Sequence, residues 1–240
     1  MPSPHRELAP LQNEQASPIM ALGASVALIA ARTEGVRLFK RCPPVHSVIL
    51  GACRVAFGGA VHTLGCVALP ANTPHDLLAL QGPYGGVAYL DARHYRFEDA
   101  QRLARTWRGF VPGRDDLREA FGDAIAVSRR RVDARLIRVL DLLETEDLSV
   151  AESARRVGLS ESRLTHLMSD TLGAPPRAWR AWLRLRRAIN QRLFHDANLT
   201  QAAHAAGFVD SAHLTRTCKQ LAGVRPAQML PKTVLVSNAQ

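Results

Sequence analysis

The chain has 240 residues, a formal net charge of +10 and 47% hydrophobic residues, with a mean hydropathy of −0.08. These values indicate a soluble globular protein with room for two domains. The apolar run at residues 19–31 is too short to span the ~30 Å hydrocarbon core of a bilayer, and Glu7 and Glu14 do not fit the basic start of a signal peptide. The four cysteines form no CxxC pair, which is typical of reduced thiols. We therefore expect a cytoplasmic protein.

Positive charge is concentrated in the C-terminal part of the chain. Residues 149–232 contain 13 Lys or Arg against 5 Asp or Glu, a net charge of +8, whereas residues 1–130 contain 15 against 11, a net charge of +4. A basic domain attached to a less basic one indicates a polyanionic partner for the basic part. The alternative at this stage is a basic surface that is merely solvated.

The N-terminal half has the texture of a small all-β domain. Residues 1–18 are polar, and we expect a loose arm there. Between residues 19 and 96 short apolar runs alternate with turn residues, as at Val45–Leu50 and Cys53–Phe57 on either side of Gly51-Ala52, where we predict a hairpin. About seven short strands at this spacing favour a small antiparallel barrel or sandwich.

Histidines in this half raise the question of a metal site. His46, His62, His75 and His94 lie far apart in sequence and include no His-x-His run with a following Glu. We therefore predict no metal site and no cofactor. If the barrel holds an effector, we expect an apolar pocket with His62 or His75 near its mouth. The chain has no phosphate loop, nucleophile elbow or nucleophile–base motif, so no catalytic residue is predicted and the protein is not expected to be an enzyme.

From residue 97 to residue 131 the apolar residues follow a helical period, which predicts a helical connector. The helix expected at Asp115–Val127 carries one apolar stripe, formed by Leu117, Phe121, Ala124 and Ile125. We predict that this stripe pairs with its copy in a homodimer. The alternative is that it packs on the barrel.

Residues 150–226 contain one pattern twice. Residues 150–160 and residues 199–209 each combine a short helix, with Ala154 or Ala203 at a packing position, and a glycine, Gly158 or Gly207. In each copy a polar residue that favours a helix start follows the glycine: Ser160 in the first, and Asp210 or Ser211 in the second. A repeat of this size indicates one supersecondary unit used twice, and its anatomy is that of a helix-turn-helix.

A third helix is predicted between the two copies, from about Pro176 to Phe194, because proline is tolerated in the first helical turn. Its ~19 residues would span roughly 28 Å. This length is of the order of the ~34 Å that separates two successive major-groove faces of B-DNA. A rod of this length therefore suits two recognition helices on one side of a duplex.

Two helix-turn-helices on a linking helix, closing with residues 207–217 and with Gly223-Val224-Arg225-Pro226, resemble the AraC/XylS transcription regulators. The resemblance covers residues 132–231, and residues 232–240 are expected to be a C-terminal tail. It implies an α+β fold with a cupin-like N-terminal antiparallel β-barrel at residues 19–96, a helical connector at residues 97–131 and an all-α C-terminal domain. The phrase at Leu69–His75 is similar to the cupin-like sensor half of many such regulators. Cys218 departs from the family, which commonly has Phe there.

The outward positions of the two recognition helices are the candidate DNA-binding residues. In the first helix, Ser162, Thr165 and His166 fall where the family resemblance places base contacts. The full set is Ser160, Ser162, Arg163, Thr165, His166 and Ser169 in the first copy and Ser211, Ala212, His213, Arg216, Thr217 and Lys219 in the second. Arg216 has the planar donor fork that suits guanine, while Lys219 suits a phosphate.

These patterns predict a sequence-specific DNA-binding transcription regulator. Its N-terminal domain is expected to sense a small-molecule effector or to mediate dimerisation. If the protein is an activator, RNA polymerase is a further expected partner. One alternative is a constitutive regulator with a ligand-free barrel. Another is a cupin-type metalloenzyme fused to a DNA-binding half. The effector, the operator and the choice between activation and repression stay open.

Overall fold

The computed structural model describes residues 19–22, 25–32, 40–80, 84–109, 114–127, 130–229 and 233–236. The strands are β1 Ile19–Leu22, β2 Val26–Arg32, β3 His46–Leu50, β4 Cys53–Phe57, β5 Ala60–Leu64, β6 Val67–Leu69, β7 Asp76–Leu80, β8 Tyr84–Leu90 and β9 Thr233–Val236. The helices are α1 Phe97–Thr106, α2 Arg114–Val127, α3 Ala134–Thr145, α4 Val150–Arg156, α5 Glu161–Leu172, α6 Pro176–Phe194, α7 Leu199–Ala205, α8 Ser211–Ala222 and α9 Pro226–Met229. No described helix is both long enough and apolar enough to cross a bilayer. The predicted arm at residues 1–18 lies outside the described residues.

The N-terminal strands form two sheets. One has the order β6-β3-β8-β2-β1-β9 and the other the order β5-β4-β7. The hairpin predicted at Gly51-Ala52 is wrong, because β3 and β4 belong to different sheets. A hairpin is instead made by β4 and β5, whose turn residues Gly58 and Gly59 both have positive φ. The predicted α+β fold class is confirmed; among the described residues the two sheets stay open and do not close into a barrel.

The C-terminal segment returns to the N-terminal domain. Thr233–Val236 pairs in parallel with Ile19–Leu22, with Thr233 opposite Ile19. Residues expected to form a tail therefore include the edge strand β9. The β-branched residues Thr233, Val234 and Val236 suit a strand, but a parallel partner more than 200 positions away leaves no local signal in the sequence.

The connector helices pack on the large sheet of their own chain. Phe121 is 7% exposed and Ala124 is fully buried, in a cluster with Leu28, Tyr95 and Trp107. The side chain at position 117 lies outside the described residues. The prediction that this stripe pairs with a second copy is contradicted for Phe121 and Ala124, because a methyl or phenyl group buried against the sheet has no surface left for a partner.

The C-terminal helices surround one apolar core that continues into the N-terminal domain. Trp179 and Leu164 lie at its centre, and Val45, Tyr89 and Ala92 of the N-terminal half belong to the same cluster. The Tyr89 and Trp182 rings meet edge to face, with centroids 5.1 Å apart. The two halves are therefore packed together, and the position of one influences the other.

Candidate DNA-binding surface

The first helix-turn-helix consists of α4 and α5. Ser149 caps α4 by accepting a hydrogen bond from the Glu152 amide at 3.1 Å, and Ser160 caps α5 by accepting one from the Arg163 amide at 3.2 Å. Gly158, between the helices, has φ +70°. Residues with a side chain are strained in this left-handed backbone conformation, and glycine is not. Gly158 therefore allows the steep turn between the two helices. The Ser160 cap, the glycine turn and the start of α5 lie where the sequence pattern predicts them.

The second helix-turn-helix repeats this construction with other residues. Asn198 and Gln201 form a reciprocal capping box at the start of α7, with distances of 2.9 and 2.8 Å. Asp210 caps α8 by accepting from the His213 amide at 2.6 Å. Gly207 takes the turn with φ +79°. The helix start was expected at Asp210 or Ser211, and Asp210 holds the capping position.

The linking helix α6 spans Pro176–Phe194, as predicted. Its arginines serve mainly inside the protein. Arg184 binds the Asp147 carboxylate through Nε and Nη2 at 2.9 and 2.8 Å, Arg180 donates to the Asp147 carbonyl at 3.1 Å, and Arg187 donates to the Glu144 carbonyl. These side chains fasten α6 to the loop before α4. They are therefore poorly placed to neutralise phosphates, whereas most outward residues of α5 and α8 are open.

The recognition helices expose most of the predicted contact residues. The exposed ones are Ser160, Ser162, Arg163, His166, Ala212 and Arg216. Partly exposed are Thr165, Ser169, Ser211, His213 and Lys219. The Thr165 hydroxyl donates to the Glu161 carbonyl at 2.9 Å, and the His213 ring packs edge to face on Phe208 with centroids 5.2 Å apart.

Thr217 is the exception among the predicted contact residues. It is only 8% exposed, so its prediction as an outward residue is wrong. The reason is helical periodicity: position 217 follows Leu214 by three and precedes Leu221 by four, and both leucines face the core. Cys218 is fully buried beside it, and burial raises the pKa of its thiol to about 12.

The two histidines predicted near an effector lie in different surroundings. His62 stacks on Phe57 with ring centroids 4.3 Å apart on the small sheet. His75 is 1% exposed, and its Nδ1 lies 2.9 Å from the Thr73 carbonyl. Burial lowers the pKa of His75 to about 4. Within the described ranges no three His, Cys, Asp or Glu side chains are grouped closely enough to hold a metal ion.

The sequence analysis did not predict a set of hydrogen-bond donors that lie between the two halves. Arg41 is 3% exposed and donates through Nη1 to the Ala222 carbonyl at 3.3 Å. Tyr89 donates to the same carbonyl at 3.4 Å, and Arg130 donates through Nη2 to the Thr171 carbonyl at 2.6 Å. Arg41 lies between Lys40 and a stretch with two prolines, and its spacing in the sequence does not indicate a buried or functional residue. Tyr89 fits the strand pattern, which assigns it to packing only.

Comparisons with known proteins agree with this architecture. A family model described as a helix-turn-helix domain matches residues 153–231, about a third of the chain. A comparison with curated proteins gave no match. The fold is similar to that of ToxT from Vibrio cholerae: an apo variant superposes with a TM-score of 0.55 at 11% identity, over 87% of this chain and 98% of that chain.

Two further ToxT structures from Vibrio cholerae are similar and contain ligands. One is bound to an unsaturated fatty acid, with a TM-score of 0.50 and 13% identity over 88% of this chain and 97% of that chain. The other is bound to (E)-4-(8-methylnaphthalen-1-yl)but-3-enoic acid, with a TM-score of 0.53 and 12% identity over 86% and 98%. These comparisons show that residues 153–231 form a helix-turn-helix domain and that the overall fold is similar to that of ToxT, in agreement with the predicted resemblance to AraC/XylS transcription regulators.

Proposed function

We propose that the protein binds double-stranded DNA by placing α5 and α8 in two successive major grooves. The observation that carries this proposal is the repeated construction of the two units on α6. Both recognition helices begin at a side-chain cap and end at a glycine with positive φ, Gly173 and Gly223. The 19 residues of α6 give a rod of about 28 Å, close to the ~34 Å repeat of the duplex.

The exposed side chains suggest a division of labour on the DNA. Arg163 and Arg216 can each offer two parallel N–H groups to a guanine, and His166 offers a ring nitrogen to a base edge. Ala212 is exposed and suits apolar contact with a thymine methyl group. Lys219 carries a compact charge that suits a phosphate. The remaining candidates are shorter hydroxyl residues and His213, which suit contacts at the margins: Ser160, Ser162, Thr165, Ser169 and Ser211.

We further propose that the effector is a carboxylic acid and that Arg41 binds it. Arg41 is buried, yet its Nε and Nη2 have no hydrogen-bond partner among the described residues. A buried guanidinium without an anion is costly, which favours an anionic ligand. Both ligands of the similar ToxT structures are carboxylic acids. The buried Ser47 hydroxyl and His75 Nε2 also lack partners there; His75 pairs with Arg41 in a β-bridge, and Ser47 lies opposite Tyr89 in the sheet.

DNA selection tests the first proposal. Random duplexes retained by the purified protein should converge on two half-sites about one helical turn apart. Retention without any preferred sequence would contradict sequence-specific regulation.

A thermal shift with an unsaturated fatty acid such as oleate tests the effector proposal. A ligand that binds only the folded state stabilises it by RT ln(1 + [L]/Kd), ~2.7 kcal/mol at 100 times Kd. Arg41→Ala should lose this shift. Arg54→Ala, which removes an exposed arginine on β4, should keep it. No shift in the wild type would favour the constitutive regulator.

The partners beyond DNA are also proposals. We infer a cytoplasmic, non-enzymatic homodimer that contacts RNA polymerase if it acts as an activator. The buried faces of Phe121 and Ala124 require the dimer interface to lie elsewhere than on the α2 stripe. A monomer in sedimentation at micromolar concentration, with and without operator DNA, would contradict dimerisation.

A further inference from the structure

The last turn of α8 is capped from the N-terminal domain. A helix leaves its last four carbonyls without intrahelical donors. In α8 the Gly223 amide donates a hydrogen bond to the Lys219 carbonyl at 2.9 Å. The amide of Cys42 donates to the Gln220 carbonyl at 2.8 Å, and Arg41 and Tyr89 both donate to the Ala222 carbonyl. Two of the four groups are therefore satisfied by the other half of the protein.

The last turn of α5 is held in the same way. The Gly173 amide takes the Ser169 carbonyl at 3.0 Å, and Arg130 Nη2 donates to the Thr171 carbonyl at 2.6 Å. Ala71 of the N-terminal domain lies against this end as well, since a Cβ atom at position 173 would be 3.0 Å from the Ala71 methyl group. Both recognition helices thus meet the N-terminal half at their C-terminal ends.

Two of these donors, Tyr89 at α8 and Arg130 at α5, are joined to one segment, β8 and the residues that follow it, which we call the bracket. Tyr89 lies on β8. Arg130 is tied to the segment just after β8, because its Nη1 donates to the Ala92 carbonyl at 2.8 Å and its amide donates to the His94 carbonyl at 3.0 Å. A movement of this segment therefore acts on α5 and α8 together.

The bracket is also fastened to the linking helix. The Asp91 carboxylate accepts from Arg93 at 2.7 Å and lies 3.7 Å from Arg186 on α6. Arg93 and Asp91 are both buried, so this network is poorly screened by solvent. The same few residues of the N-terminal domain therefore hold α5, α6 and α8 in position.

We propose that Tyr89, Arg41 and Arg130 are positioning residues that fix the separation and relative orientation of the two recognition helices, and so the operator spacing that the protein accepts. This inference rests on the proposed placement of α5 and α8 on DNA. Without the bracket, the two units would be joined through α6 and the Asp147–Arg184 pair under Gly207, and the C-terminal ends of α5 and α8 would adjust to their own half-sites. The N-terminal domain would then determine specificity without touching DNA.

The test compares operators whose half-site separation differs by one base pair. One inserted pair moves a half-site by about 3.4 Å and rotates it by roughly 34°. The probe protein is the full chain with Tyr89→Phe and Arg130→Lys. Tyr89→Phe removes only the hydroxyl and keeps the ring on Trp182, and lysine cannot bind two carbonyls with one planar fork. Arg54→Ala is the matched control on the exposed small sheet.

The measured quantity is the ratio of the Kd values for the shifted and the unshifted operator. The wild type and Arg54→Ala should share one large ratio, and the double variant should lower it by about two- to tenfold, as expected for losing one or two net hydrogen bonds. If the double variant unfolds, Tyr89→Phe alone should lower the ratio in the same direction. An unchanged ratio in a folded variant, or a wild type that tolerates the insertion, would overturn the inference.

A separate variant distinguishes failure of the bracket from failure of the DNA-binding proposal. Arg216→Ala should weaken operator binding whether or not the bracket exists. If it does so while the spacing ratio stays at the wild-type value in Tyr89→Phe, only the bracket is wrong. If Arg216→Ala and Arg163→Ala leave binding unchanged, the placement of α5 and α8 is wrong.

Discussion

Gly207, in the turn of the second helix-turn-helix, lies so close to Asp147 that a Cβ atom at position 207 would be 2.8 Å from Asp147 Oδ2 and 3.2 Å from Arg184 Nε. Asp147 precedes the first unit, and Arg184 belongs to the linking helix. The ion pair between them, at 2.8 Å, therefore packs directly under the turn of the second unit. This contact joins the two units independently of their recognition helices.

Replacing Gly207 by alanine should destabilise the protein more than the same change at Gly158. Both turns have positive φ, which costs an L residue ~1–2 kcal/mol. Nothing lies within 4 Å of a Cβ at position 158, whereas at position 207 the methyl group has to displace the Asp147–Arg184 pair. The further cost at Gly207 should be roughly 1–3 kcal/mol. Urea unfolding of both variants measures the difference, and equal losses would show that the pair yields freely.

The Asp147–Arg184 ion pair predicts that the stability of the protein depends on pH. Burial acts to raise the pKa of Asp147, but hydrogen bonding to Arg184 and the charges of Arg184, Arg180 and Arg187 outweigh it, so the pKa lies below its ordinary value. The unfolded chain then takes up a proton before the folded one. The contribution is present above the ordinary aspartate pKa and is lost as the pH falls through the lowered pKa.

Asp147→Asn isolates this contribution. At pH 7 the variant should unfold at lower urea concentration than the wild type. The difference in urea midpoint between the two proteins should narrow as the pH is lowered below the ordinary pKa of an aspartate. The wild type then loses the charge that the variant lacks. A gap that is the same at pH 7 and in acid would mean that the carboxylate contributes packing and not charge.

Phe121 should behave as a core residue and not as an interface residue. It is buried against its own sheet with Ala124 and Trp107, and Trp107 Nε1 also donates to Asp123 on α2 at 3.1 Å. Phe121→Ala should therefore lower the free energy of unfolding by ~3–5 kcal/mol. Analytical ultracentrifugation of the folded variant should give the same oligomeric state as the wild type. A stable variant that changes its oligomeric state would restore the predicted dimer stripe.

Arg216 and Lys219 should give different signatures on DNA. Arg216→Ala should cost ~1–3 kcal/mol on the operator and relax the preference at one base pair, because a bidentate contact to guanine is lost. Lys219→Ala should weaken binding to all duplexes about equally and reduce the salt slope by roughly one unit. Titrations on operator and scrambled duplexes at several salt concentrations separate the two effects.

The first copy offers the matching comparison of His166 with Arg163, both of which are exposed on α5. Loss of sequence preference in either variant would assign base reading to that residue. Equal losses for Arg216→Ala on both duplexes would show that Arg216 senses charge only, and the specificity would then be assigned to α5.

The paired helix-turn-helix could be predicted from the sequence, because its signals are local. Ser160 and Asp210 bond to amides three residues away, and Gly158 and Gly207 take turns that other residues resist. Contacts of this range are fixed within one or two helical turns, so residue type and spacing are enough to predict them. The bounds of α6 followed from the same kind of signal at Pro176.

The surfaces that these elements cover could not be predicted in this way, because they depend on contacts between distant parts of the chain. The helical period places Phe121 on an apolar stripe, but whether the stripe meets a second copy or its own sheet depends on where the chain brings β2. The hydrogen bonds of Tyr89 and Arg41 to Ala222 span 133 and 181 positions, and no periodicity links residues so far apart. Such contacts arise from burial of the shared core between the two halves, because apolar burial is non-directional and selects partners only once the whole chain has folded.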